Sequence, residues 1–319
     1  MLRDKIGALV ELTHIYFSWM ISIISFSAAV FGARGLPTPW LTLVTVVAPL
    51  LGGSAGIAAN DYFHRKIDAI EKPWRPIPSG RIGPRAAFAF ALLLAGVALA
   101  LTLTLNYLCY IAAAGVVFFT LMYNIKHKFR FLGPVTRAMT DVFTVIYGYC
   151  AVTGYLSLEL LPLSLIFFTD VISSNIGPSS VKDVKGDEAG GVLTAVSVIG
   201  SKRAAKIGFL FLLISIALGI WSGLLGLNMV FLASFVLARI PSIWAYYKLV
   251  ETPIPINSEF ALATQLFNRC CYALAFPAGV LPVDSGVILG VAIVFSSFLS
   301  VSNYYTYLVM ERFERRPVK

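Results

Sequence analysis

The sequence predicts an all-α, polytopic membrane helix bundle of about nine or ten spans, and three observations carry that reading. The chain of 319 residues is 58% hydrophobic and only 13% charged, about half the charge of a soluble domain, and its mean hydropathy is +0.82. Its apolar residues run in long uncharged blocks, long enough for helices that cross about 30 Å of hydrocarbon. They lack the period-2 alternation of a membrane barrel. Its cations, finally, gather in alternate connections between the blocks.

The blocks fall at 14–33, 41–60, 86–106, 108–124, 135–155, 160–177, 205–225, 228–248, 259–281 and 286–309. The first is not read as a cleavable signal peptide, because it has no small-residue cleavage pattern and another span follows at once. Most Lys and Arg lie at the two termini and in the connections after the second, fourth, sixth and eighth blocks, whereas Arg34 falls in an opposite-side connection. Short basic connections stay cytoplasmic, so the termini and the basic loops are expected on that side. The net charge of +9 is covered by orientation and by anionic membrane lipids, and no nucleic-acid partner is required. Cys109, Cys150, Cys270 and Cys271 lie within blocks, without metal-ligand spacing, and read as packing residues.

The chain reads as one membrane-embedded domain, 1–319, with pseudo-equivalent halves at about 1–133 and 134–250 and final helices at 259–309. The halves are suggested by two acidic clusters, each at the cytoplasmic end of the second helix in a set of four. The first cluster lies in "NDYFHRKIDAIEKPWRPIPSGRI", residues 60–82. If the second span continues as a helix, Asp61, His64 (or Arg65) and Asp68 share one face, with Asn60 one residue off it. Carboxylates so spaced suit hard cations, and Mg²⁺ is usually held by one or two of them together with substrate phosphates. Pro73, Pro76 and Pro78 end the helix, and the loop carries Lys72, Arg75 and Arg81, natural partners for phosphate oxygens. The bland alternative is an ordinary juxtamembrane loop of scattered charge pairs.

The second cluster, "SSVKDVKGDEAGG", puts Asp183 and Asp187 on one helix face beside Lys182 and Lys185. Two opposed acidic pairs repel unless cations neutralise them, and Mg²⁺ ions bridging a diphosphate would do so. The connection after the fourth span adds Tyr123, Lys126 and Lys128 at the same face.

These motifs together resemble the UbiA superfamily of intramembrane prenyltransferases. The family's first motif, N-D-x-x-D-x-x-x-D, corresponds to Asn60, Asp61, His64 and Asp68, followed by Arg75-Pro76-Ile77-Pro78-Ser79-Gly80-Arg81. Its second motif, D-x-x-x-D, corresponds to Asp183 and Asp187, before Gly190-Gly191 and Gly200-Ser201-Lys202-Arg203-Ala204. Its Y-x-x-K element corresponds to Tyr123 and Lys126. The resemblance covers spans one to nine in order. The chain departs from it in three places. His64 replaces the middle Asp of the first motif, "SNIGPSS" stands where related archaeal lipid enzymes carry an acidic and basic run, and a tenth span follows. A neutral His suits Mg²⁺ less well than an oxygen ligand does.

The resemblance implies Mg²⁺-dependent transfer of a polyprenyl group, such as geranylgeranyl, from its diphosphate. The lipophilic acceptor would be a quinone precursor, a glycerol-ether lipid, or a chlorin or haem. It makes Asp61, Asp68, Asp183 and Asp187 the metal ligands. Asn60, His64, Arg75, Tyr123, Lys126, Lys182 and Asp141 then stand on the substrate side. Asp170, an acid within the sixth span, is a functional candidate by default. It would orient or deprotonate the acceptor, or else pair with a Tyr or Arg239 as helix-packing glue. Two further readings compete: an isoprenoid-diphosphate-binding protein of this fold without turnover, and a transporter. The transporter predicts broken mid-membrane helices, whereas the charges here gather at one face.

Overall fold

The computed structural model describes residues 2–125, 132–189, 194–224, 227–282, 284 and 287, and every regular element among them is a helix. Helix α1 (Leu2–Thr13) meets α2 (Ile15–Ala33) at a 45° bend. Between them His14 takes the left-handed conformation, with φ 40° and ψ 51°. Helix α3 (Pro39–Glu71) opens with Pro39 in its first turn and with the Thr38 hydroxyl accepting from the Leu41 amide at 3.4 Å, a standard helix start. At 33 residues it is about 50 Å long, against about 30 Å of hydrocarbon. Its apolar part uses up that thickness, so the polar end from Asn60 onward stands at the membrane boundary.

The remaining elements are α4 (Pro84–Thr102), α5 (Tyr107–Ile125), α6 (Leu132–Thr153), a 3₁₀ turn (Leu158–Leu160) and α7 (Leu161–Ser174). Helix α7 runs without a break through a π-helical turn (Asn175–Ser179) into α8 (Ser180–Ala189). Then follow α9 (Ala195–Ile199), α10 (Ser201–Leu224), α11 (Met229–Glu251) and α12 (Pro255–Val280). The packing order is circular. Helix α2 lies on α3 and α6, α6 on α5 and α7, α7 on α10, α10 on α11, and α11 on α12, which returns to α2. The two expected halves therefore touch where α6 packs on α2 and α5. The main core fills this ring with side chains such as Ile24, Val145, Phe167, Phe231 and Phe276. A satellite core, Ala8, Leu12, Ala58, Ile77, Ile82 and Ala87, fixes α1 against α3, α4 and the loop between them.

Outward faces are apolar as well: Leu93 is 62% and Ile111 59% exposed. Exposed apolar surface on this scale marks contact with lipid rather than water. Among the described residues, six helices are long and apolar enough to cross a membrane, or seven if the bent α1–α2 pair counts as one. The expected count of nine or ten is not reached by that measure. Helices α6 and α12 fall outside it because they carry Arg137 and the buried Asp141, and the buried Gln265, Asn268 and Arg269. The tenth expected span, 286–309, lies outside the described residues apart from 287.

The α2–α6 contact has no room for a side chain at Gly148, where a Cβ would stand 1.9 Å from the Ser25 carbonyl oxygen. The obstacle is backbone, so no rotamer relieves it. Gly148→Ala should force the two helices apart and lower stability by about 1–3 kcal/mol, read as an earlier thermal unfolding transition in detergent. A parent-like transition would mean that the α2–α6 spacing is looser than described.

Candidate active site

The polar end of α3 is closed by its own following loop. The loop turns back through Gly80 at φ +74°, a conformation glycine adopts without strain. Ser79 donates its amide (2.9 Å) and hydroxyl (2.7 Å) to the Arg75 carbonyl. Arg81 donates to the Trp74 carbonyl at 2.7 Å and forks onto both carboxylate oxygens of Glu11 on α1 at 2.7 and 3.1 Å. These bonds aim Arg75 at the helix it has just left. Its Nη1 donates to Asp61 Oδ1 at 2.9 Å and to Asp68 Oδ2 at 3.0 Å. Both carboxylates are buried, at 4% and 5% exposure. The second oxygen of Asp61 is met by His14 Nε2 at 3.2 Å. The predicted shared face of Asp61 and Asp68 is thus present, with a guanidinium between them, and His64 is half-buried on the same stretch.

The second acidic segment converges on the same place. Lys72, at the end of α3, lies within electrostatic reach of Asp68 and Arg75 on one side and of Lys182 and Asp183 on the other. Burial pushes its ammonium below the usual lysine range. Repulsion from Arg75 and Lys182 adds to this, and Asp183 and Asp68 oppose it. An anion arriving here would meet three crowded cations. Asp183 is half-buried, with Lys182 Nζ 3.7 Å from its Oδ1. Asp187 lies in α8, but its side chain falls outside the described atoms, and Lys126 lies outside the described residues. Among the described residues, no three His, Cys, Asp or Glu side chains form a group able to hold a metal ion. Of the four expected carboxylates, the described side chains are those of Asp61, Asp68 and Asp183, the first two joined through Arg75. The donor set still fits Mg²⁺, which needs only one or two carboxylates alongside substrate phosphates and water.

Asn60 Nδ2 donates to Asn124 Oδ1 at 2.7 Å, fastening the end of α3 to that of α5. Tyr123 beside it lines a cavity of about 10 Å³ with Pro134, Asn175, Ser179 and Ser180, large enough for one water at most. Asn124 Nδ2 is buried without a hydrogen-bond partner among the described residues. His14 and Asn124 were not among the sequence candidates for the site. Asn124 is adjacent to Tyr123 and was legible by neighbourhood, whereas His14 had no local signal.

Asp170 and Asp141 sit elsewhere, in the interior. Asp170, 0% exposed, accepts from Arg239 Nη1 at 2.6 Å and from Arg269 Nε at 3.1 Å, and Gln265 donates to its carbonyl at 3.0 Å. Arg239 continues to Ser215 at 2.8 Å and lies over the Tyr272 ring at 4.1 Å. Arg269 continues to Ser174 at 3.0 Å. Asp141 pairs with Arg137 and stands 3.7 Å from Arg269. This network ties α6, α7, α10, α11 and α12 together. Of the two roles considered for Asp170, the geometry matches the helix-packing one, because both of its oxygens are already engaged by arginine. Asp141 likewise joins the interior network rather than the Asp61–Lys72 group.

Three comparisons bear on this arrangement. The profile of the UbiA prenyltransferase family matches residues 20–254. The digeranylgeranylglyceryl phosphate synthase of Natronomonas pharaonis is 34% identical over 198 residues, 62% of this chain and 71% of that protein. Among solved structures, a digeranylgeranylglyceryl phosphate synthase superposes with a TM-score of 0.69 at 21% identity, over 87% of this chain and 99% of the other. A UbiA homologue from Archaeoglobus fulgidus, bound to GPP and Mg²⁺, gives 0.58 at 14% identity, over 92% and 99%. At these identities the structural likenesses show the fold alone.

The interior network generates a test of Asp170. Asp170→Leu leaves two buried guanidinium groups without their shared counter-charge and should cost about 3–5 kcal/mol, measured by thermal unfolding in detergent. A variant as stable as the parent, yet inactive, would return Asp170 to the acid–base candidates.

Proposed function

This chain belongs to the UbiA prenyltransferase family, and we propose that it transfers a polyprenyl group, geranylgeranyl or one of similar length, from its diphosphate to a glycerol-ether lipid. The observation that carries the reading is the Arg75–Asp61–Asp68 group beside Lys72, Lys182 and Asp183, at the end of an otherwise apolar bundle. The N. pharaonis relative supports the choice of acceptor class.

Lys72, Arg75 and Lys182 bind the diphosphate oxygens. Asp61, Asp68, Asp183 and Asp187 would hold Mg²⁺, which when bound supplies Lewis-acid neutralisation of the leaving diphosphate. The allylic C1–O bond breaks and its electron pair leaves with the diphosphate. The apolar bundle keeps water from the resulting allylic cation. The acceptor hydroxyl oxygen attacks C1, its proton passes to the released diphosphate, and an ether bond replaces the diphosphate ester. Donors fixed in advance around a developing anion usually contribute more to such catalysis than any other single effect. Arg75 has that character, since the loop holds it at the site before any anion arrives. The cytoplasmic preference of short basic connections supports a cytoplasmic position for this end of the bundle. Diphosphate binding without turnover is the second reading, and His64 in place of an acid favours it.

One assay separates the two. Labelled geranylgeranyl diphosphate and a geranylgeranylglyceryl phosphate acceptor are supplied to sealed vesicles of either orientation. The expected result is Mg²⁺-dependent ether product with matching diphosphate release, only when the cytoplasmic face is outward. Asp61→Asn should lower the rate at least about 100-fold. Binding without any diphosphate release, or full activity of Asp61→Asn, would contradict the proposal.

A further inference from the structure

We propose that His14 is a positioning residue for Asp61, delivered to the site by the bend between α1 and α2. This inference rests on the metal-binding reading above. His14 is 6% exposed, and its Nε2 lies 3.2 Å from Asp61 Oδ2. A carboxylate only accepts, so Nε2 carries the hydrogen. The two residues are 47 positions apart, so the contact is a product of tertiary packing.

The backbone at His14 is unusual. Its φ of 40° is uncommon for a residue with a Cβ and persists only where the surroundings enforce it. Gly would suit the bend better, and the imidazole that stands there instead is aimed at a buried acid. The division of Asp61's oxygens explains what this achieves. Arg75 holds Oδ1 and His14 holds Oδ2. When a diphosphate draws the Arg75 guanidinium towards itself, Oδ1 is released while His14 keeps the carboxylate plane in place. Partners of this kind around a ligating side chain commonly change metal affinity 10–100-fold. The last turn of α1 also supplies Glu11, whose fork with Arg81 holds the loop bearing Arg75. The N-terminal helix thus braces both the carboxylate and the cation that face each other across the site.

Three variants test the inference. His14→Gly and His14→Asn tolerate the left-handed backbone but remove the imidazole or fall short of Asp61, whereas His14→Gln keeps an N–H donor at similar reach. Mn²⁺ binding to the full chain in detergent is followed by electron paramagnetic resonance, in the presence of a geranylgeranyl thiolodiphosphate that cannot turn over. Metal-free thermal unfolding is recorded in parallel. We expect His14→Gly and His14→Asn to bind Mn²⁺ about 10-fold or more weakly while unfolding like the parent, and His14→Gln to recover most of the affinity. Parent-like affinity in the Gly and Asn variants overturns this inference alone. So does a loss of affinity that tracks a loss of metal-free stability and is not restored by Gln, which marks a purely structural residue. A parent that binds no Mn²⁺ overturns the metal reading itself, and this inference with it.

Discussion

Asp61 and Asp68 stand on one buried face of α3, and two carboxylates so placed repel unless a cation lies between them. The Arg75 guanidinium is that cation, and much of the surrounding structure serves to put it there. Helix α3 must outrun the hydrocarbon to carry both acids to the boundary. The chain must then reverse sharply, which Gly80 and the prolines allow, and the reversed loop must be anchored, which Arg81 does through Glu11 and the Trp74 carbonyl. The result is a site whose charges balance before any substrate arrives. It can exchange one partner for another without leaving an acid bare in a low-dielectric setting.

The bundle beneath obeys the complementary constraint. Lipid offers no polar partners, so each interior charge must find one within the protein. Asp170, Arg239, Arg269 and Asp141 do so across five helices, supported by Ser174, Ser215 and Gln265. Such a network fixes which helices meet. It also keeps the interior charges engaged with one another, apart from the cations at the boundary end.

The features legible in the sequence were those written locally. The long uncharged blocks foretold the helices, and helical spacing alone placed Asp61 and Asp68 on one face. The pairing of Asp170 with Arg239 was among the roles foreseen, because an intramembrane acid needs a cation and few were available. What escaped depends on contacts between distant positions. Nothing near His14 indicates Asp61, and nothing near Asp170 indicates Arg269, 99 residues away. That Arg75 folds back onto its own helix depends on a turn geometry that "RPIPSGR" permits without dictating. The span count suffered from the opposite effect. Helices α6 and α12 bury polar residues, which lowers their hydropathy although they pack like their neighbours.

Arg75 is thus the counter-cation of the acidic pair, and the proposed function has it shared with an incoming diphosphate. The most direct test is Mn²⁺ affinity of parent and Arg75→Gln protein without diphosphate, alongside affinity for a thiolodiphosphate analogue. Removing the competing guanidinium should tighten Mn²⁺ binding at the Asp61–Asp68 pair while weakening the analogue. Unchanged or weaker Mn²⁺ binding by Arg75→Gln would contradict the account.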